Sequence, residues 1–105
     1  MARPFPWRLR FAVPASHPCL PGHFPGRPVV PGVVLLDALF TALAEEGHGL
    51  VTRLLRAKFT APVAPEEEVE VEFRSAGPGR VTFQCHCRGA LALSGEAALE
   101  PAVAA

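Results

Sequence analysis

No stretch of this 105-residue sequence approaches the roughly 20 consecutive apolar residues that a membrane-spanning helix needs. The opening residues, MARPFPWRLRFAVPA, carry basic side chains but no continuous apolar segment of signal-peptide length. Both absences point to a cytoplasmic protein with no membrane partner. Excess charge is lacking too: ten Lys and Arg balance ten Asp and Glu, so no general field draws the chain to nucleic acid or to an anionic surface. Cysteine is scarce and odd in number (Cys19, Cys85, Cys87), and no C-x-x-C pair occurs. Cys85 and Cys87 stand two apart on one strand, where a bridge between them would be strained, so reduced thiols are expected. No internal repeat and no linker interrupts the chain. Half of it is apolar, enough for one core but not for two, and the expectation is a single domain over residues 1–105 with 1–5 and 100–105 frayed.

What is present falls into seven segments. Trp7, Leu9 and Phe11 alternate with Arg8 and Arg10, the period of a half-buried strand over 6–13. Residues 14–31 hold Pro14, Pro18, Pro21, Pro25, Pro28 and Pro31 with Gly22 and Gly26, a density that excludes helix and ladder pairing and predicts a stiff loop. From Pro31 to about Glu46 no breaker follows Gly32; Pro31 suits a first helical position, and Gly47 with Gly49 would stop the helix. Its apolar residues go round the whole cylinder, interrupted only by Asp37 and Thr41 until its end, so it should be buried on most sides. A run of strands follows. Residues 51–60 set Leu55, Ala57 and Phe59 against Arg56 and Lys58, APVAPEE makes a Pro-punctuated turn, and EVEVEFR points Val69, Val71 and Phe73 inward. SAGPG turns the chain into RVTFQCHCR, with Val81, Phe83, Cys85 and Cys87 on one face, and residues 90–99 form a last strand. The predicted class is α+β: a meandering antiparallel sheet of about five strands wrapped around one long central helix.

His23 and Asp37 stand fourteen positions apart, one in the stiff loop and the other in the helix. An imidazole that titrates near neutral pH and a carboxylate among valines and leucines are the parts of an acid/base pair. A buried lone carboxylate needs a partner or a job. Gly32, at the helix start between them, offers a free backbone N–H that the helix dipole favours for holding an oxyanion. Together these groups suit enolate-type chemistry beside a carbonyl, with Phe24, Pro31, Val33 and Thr41 as the neighbouring substrate-binding positions. His17, Cys19 and His23 could be drawn with Cys85, His86 and Cys87 as a zinc set. His86 should point away from the two cysteines, however, and core thiols fit better, so no metal is expected. Glu66, Glu67, Glu68, Glu70 and Glu72 read as a solvated outer face. Arg27, Arg56 and Lys58 form a candidate basic landing patch for an acidic carrier protein.

The run GHFPGRPVVPGVVLLDAL closely resembles the active-site segment of the 3-hydroxyacyl-acyl-carrier-protein dehydratases, hotdog-fold enzymes of fatty-acid synthesis. LLRAKFTAPVAPEEEVEVEFR is similar to that family's strand, Pro-containing turn and strand after the central helix, so the likeness covers most of residues 17–75. The resemblance implies that His23 takes a proton from C2 of a 3-hydroxyacyl thioester, that Asp37 helps the C3 hydroxyl leave as water, and that the Gly32 N–H polarises the thioester carbonyl. It implies a homodimer, or a heterodimer with a paralogue, in which the histidine and carboxylate of one site come from different subunits and the acyl chain lies in a tunnel along the interface. It implies an acyl carrier protein as the partner that delivers substrate, and no cofactor. Thr41 stands where the family usually has glutamine, and the chain resembles a compact, N-terminally shortened member.

The function expected from the sequence is therefore dehydration of 3-hydroxyacyl thioesters to trans-2-enoyl thioesters, in fatty-acid or related lipid or polyene synthesis. Two other readings share the same residues. A hotdog thioesterase or isomerase would use Asp37 as base; a non-catalytic acyl-binding or carrier-docking subunit would have no reason to keep both His23 and Asp37.

Overall fold

The computed structural model describes residues 3–18 and 29–100. Within them lie β1 (Trp7–Phe11), α1 (Gly32–Glu46), β2 (Leu50–Phe59), β3 (Val69–Ser75), β4 (Arg80–Cys87) and β5 (Ala90–Glu100). Each strand expected from alternation is present, and the helix starts and stops at the expected glycines. All five strands pair antiparallel in one sheet, in the order β1-β3-β4-β5-β2. The expected meander therefore holds only for β3, β4 and β5. Chain neighbours β1 and β2 stand at opposite edges, because the connection between them carries α1 from one edge of the sheet to the other.

Alternation builds the core. Val69, Val71 and Phe73 of β3, Val81, Phe83, Cys85 and Cys87 of β4, and Leu93 and Ala97 of β5 form one buried cluster with Val34, Leu35, Leu39 and Leu43 of the helix. The opposite face carries ion pairs: Arg8 and Arg74 on Glu72, Arg56 and Arg80 on Glu96. Exposed pairs of this kind contribute only about 0–1 kcal/mol each, so the buried face dominates stability. Cys85 and Cys87 are free and buried; burial pushes the Cys85 thiol up to about 12. Cys87 donates its S–H to Glu67 Oε1 at 3.7 Å.

Two sequence expectations need correction. The helix is short, 15 residues, rather than long; it is covered on most of its sides, as expected, but one narrow stripe is left open. Val34, Leu35, Leu39 and Leu43 face the sheet, whereas Val33, Asp37, Thr41 and Glu45, at four-residue spacing, are exposed, Val33 by 71 %. Second, β2 does not alternate throughout. Its register against β5 shifts between Val51 and Arg53 and again between Leu54 and Arg56. Ala57 and Phe59 lie opposite Gly95 and Leu93 on the core side, Arg56 and Lys58 lie opposite Glu96 and Ser94 on the other, and Leu55 falls at the bulge. At the N-terminal end the Arg3 N–H donates to Glu46 Oε2 at 3.0 Å and Phe5 stacks on His48 at 4.2 Å; residues 1–2 and 101–105 of the expected frayed ends lie outside the described residues. Glu100 pairs with Leu50 inside the sheet.

The helix ends in a left-handed turn at Gly47 (φ 92°), with Gly47 N–H donating to Ala44 O and His48 N–H to Leu43 O, the double closure that favours glycine.

Candidate functional site

The site is built on the start of α1. Pro31 is the N-cap and supplies no side-chain hydrogen bond to the helix. Its carbonyl accepts from Val34 N–H at 3.0 Å and Leu35 N–H at 3.3 Å. The amides of Gly32 and Val33 precede any intrahelical acceptor, so they head the helix at the positive end of its dipole. No acidic residue in the first turn neutralises that end. Gly32 borders a cavity of about 480 Å³ lined by Val29, Val30, Leu35, Phe59 and the turn residues Thr60–Val63. The wall is largely apolar. Phe59 covers the glycine: a Cβ added there would come within 2.5 Å of the ring's Cζ.

Asp37 stands on the exposed stripe of α1 with Val33 and Thr41. In the single chain it is not the buried carboxylate that its apolar neighbours suggest, because those neighbours turn toward the sheet and leave it outside. Pro31 and Gly32 sit half-buried at the helix start; Val33 and Thr41 flank Asp37 on the open face and do not line the cavity. The described residues thus bring Gly32 to an apolar cavity and Asp37 to an open helix face next to it. His23, Phe24 and Arg27, with Cys19, lie outside the described residues. Arg56 and Lys58 are exposed on the outer face of β2, Arg56 within 3.7 Å of Glu96. Among the described residues no three His, Cys, Asp or Glu side chains converge on a metal-sized site.

Sequence reasoning missed Phe59 and the β2–β3 turn as cavity walls. The available signal was an aromatic residue at the end of a strand, followed at once by the prolines of APVAPEE. It also missed His48, which is stacked on Phe5 and lies 5.2 Å from Trp7, with a buried Nε2 that lacks a hydrogen-bond partner among the described residues. Burial lowers its pKa from the ordinary histidine value, and Glu46 partly offsets this. A second cleft of about 550 Å³, bordered by Glu67, Glu68, Glu70, His86 and Arg88, shares no lining residue with the cavity at Gly32. Arg88 pairs with Glu67 there.

The ApeI-like family model, described as ApeI dehydratase, matches residues 4–96. A 3-hydroxyacyl-acyl-carrier-protein dehydratase FabZ of Histophilus somni is 33 % identical over 100 residues, covering 84 % of this chain and 64 % of that protein. The FabZ of Legionella pneumophila is 35 % identical over 77 residues, covering 62 % of this chain and 51 % of that protein. The chain therefore spans about half to two thirds of the length of these relatives. Among solved structures, the dehydratase heterocomplex ApeI:P from Xenorhabdus doucetiae superposes with a TM-score of 0.75 at 20 % identity, covering 88 % of this chain and 84 % of that one. The fluoroacetyl-CoA-specific thioesterase FlK superposes with a TM-score of 0.57 at 23 % identity, covering 90 % and 84 %. At these identities the superpositions establish the hotdog fold.

Proposed function

Because the chain belongs to the ApeI-like dehydratase family, we propose that it removes water from a 3-hydroxyacyl thioester carried on an acyl carrier protein, giving the trans-2-enoyl thioester. His23 takes the proton from C2. The electron pair moves onto the thioester oxygen, where the Gly32 N–H stabilises the developing oxyanion. As the enolate collapses, the C2–C3 double bond forms, the C3–O bond breaks, and Asp37 delivers the proton that lets the hydroxyl leave as water. Proton return from His23 to Asp37 resets the site. The observation that carries this reading is the uncapped helix start at Gly32, opening onto an apolar cavity one and a half turns ahead of Asp37. A thioester carbonyl at the helix start would place its acyl chain against Val30, Leu35 and Val63.

The active form in this reading is a dimer in the cytoplasm, with His23 of one subunit serving Asp37 of the other. Two features support it. Strand β2 is a sheet edge with Leu50, Leu54 and Phe59 exposed by 62, 41 and 49 %, and the stripe of Val33, Asp37 and Thr41 is open. An edge of this kind invites pairing with another chain. A second copy is the simplest partner; a paralogous subunit is the alternative, since the solved ApeI:P assembly is a heterocomplex. Arg27, Arg56 and Lys58 are the proposed contacts for the acidic carrier.

The test is incubation of the purified chain with a 3-hydroxyacyl-acyl-carrier-protein, followed by ultraviolet absorbance of the conjugated enoyl thioester, mass loss of water and titration of free thiol. Enoyl product from the wild type, lost by about a hundredfold or more in His23→Ala, supports the reading. Free thiol without enoyl product makes the chain a thioesterase; bound but unchanged thioester makes it a binding subunit.

A further inference from the structure

The turn between β2 and β3 contains a residue that the mechanism above does not use. Ala64–Glu67 closes as a β-turn, with Glu67 N–H donating to Ala64 O at 3.3 Å. Pro65 occupies its second position and Glu66 its third, with Glu66 at φ 69°. That left-handed value is the one a type II turn demands at this position, and glycine is the residue that adopts it freely. Glutamate there carries strain, and non-glycine residues persist in such conformations where the surroundings hold them.

The surroundings are the chain that leads to His23. Glu66 N–H donates to Val13 O at 2.8 Å. Glu66 Oε1 accepts from Ala15 N–H at 2.6 Å. The exit from the same segment is tied to the same turn, with Val30 N–H donating to Val63 O at 2.7 Å. His23 lies eight residues after Ala15 and seven before Val30, so both ends of its segment are fastened to one short stretch, Val63–Glu66. That stretch also borders the cavity at Gly32 through Val63.

We propose that Glu66 is a positioning residue for His23, its carboxylate and its strained backbone fixing the entry of the histidine segment relative to the cavity wall. The role rests on the proposed use of His23 as base. It acts through Ala15 and Val13 and involves no contact of Glu66 with substrate. A side chain retained at a backbone position made for glycine is accounted for by the acceptor it supplies.

Two substitutions separate this from a merely structural turn. Glu66→Gly suits the backbone and removes the acceptor, so the turn is kept while the tie to Ala15 is lost. Glu66→Gln keeps an oxygen for Ala15. Steady-state dehydration of a 3-hydroxyacyl thioester and amide hydrogen exchange are measured on the wild type and both variants. The expected result is a kcat lowered about tenfold or more in Glu66→Gly with KM little changed, near-complete rescue in Glu66→Gln, and exchange at Ala15 faster by about tenfold in Glu66→Gly alone. A Glu66→Gly protein with wild-type kcat and wild-type protection at Ala15 would overturn the proposal. If the wild type dehydrates nothing, the use of His23 as base is what fails, and the exchange at Ala15 alone decides whether Glu66 fastens the segment.

Discussion

At the scale of single residues, two glycines that look alike in sequence are held for different reasons. A Cβ on Gly95 would come within 2.4 Å of the Arg56 carbonyl oxygen and 2.6 Å of the Phe83 ring. The carbonyl belongs to the paired backbone of β2 and cannot step aside, so Gly95→Ala should destabilise the chain by about 1–3 kcal/mol in urea unfolding. A Cβ on Gly32 would meet only the half-exposed ring of Phe59, which can swing away. Gly32→Ala should therefore fold with near-normal stability and lose activity as the displaced ring enters the cavity. His48 gives a pH test. The unfolded chain takes up a proton near pH 6.5, whereas the folded chain, with burial lowering its histidine, takes it up only at lower pH. Stability is thus complete above the unfolded value and declines as pH falls toward the folded one. Replacing His48 by Phe, which keeps the stack on Phe5, should flatten the fall in melting temperature between about pH 7 and pH 5.

At the scale of elements, the helix separates stability from function. Leu39 and Asp37 are two residues apart, yet Leu39 is 0 % exposed and Asp37 stands on the open stripe. Leu39→Ala should cost about 2–5 kcal/mol, whereas Asp37→Asn should shift stability by no more than about 0.5 kcal/mol while abolishing dehydration. Chemical unfolding and the enoyl assay on both variants check this. The strands were legible because alternation is local: Val69, Val71 and Phe73, or Val81, Phe83 and Cys85, declare their buried face within a few residues. The order of strands was not legible, since nothing in β2 or β5 states that Phe59 will lie opposite Leu93. The bulge at Leu55 hid for a related reason, because it is a property of the pairing between β2 and β5 and not of β2 alone. Gly32 and Asp37 fell at the start and on the body of the helix, where the sequence put them, but the cavity wall at Phe59 and Val63 needed the third dimension. The burial of Asp37 was misjudged because apolar residues nearly all round a helix do not say which narrow stripe the rest of the chain leaves open.

At the scale of the molecule, what the single chain leaves open is consistent with an incomplete site. The edge strand β2 exposes Leu50 and Leu54, and the helix exposes Val33 beside Asp37. If two copies join along β2, Leu54→Glu should convert a dimer to a monomer in size-exclusion chromatography with light scattering and remove dehydration with it, leaving the fold intact by circular dichroism. A dimer unaffected by Leu54→Glu would place the contact elsewhere, and a monomeric wild type would contradict the pairing of two copies. The most direct measurement of the whole account is enoyl-thioester formation by the wild type, by His23→Ala, by Asp37→Asn and by an equal mixture of the two variants after subunit exchange. The account predicts turnover by the wild type, loss in each variant alone, and recovery in the mixture to about a quarter of the wild-type rate, because half of the dimers of a two-fold assembly are hybrids with one intact site. An active wild type whose mixed variants recover nothing would contradict a site shared between subunits, and a wild type that leaves the 3-hydroxyacyl thioester unchanged would contradict the dehydratase itself.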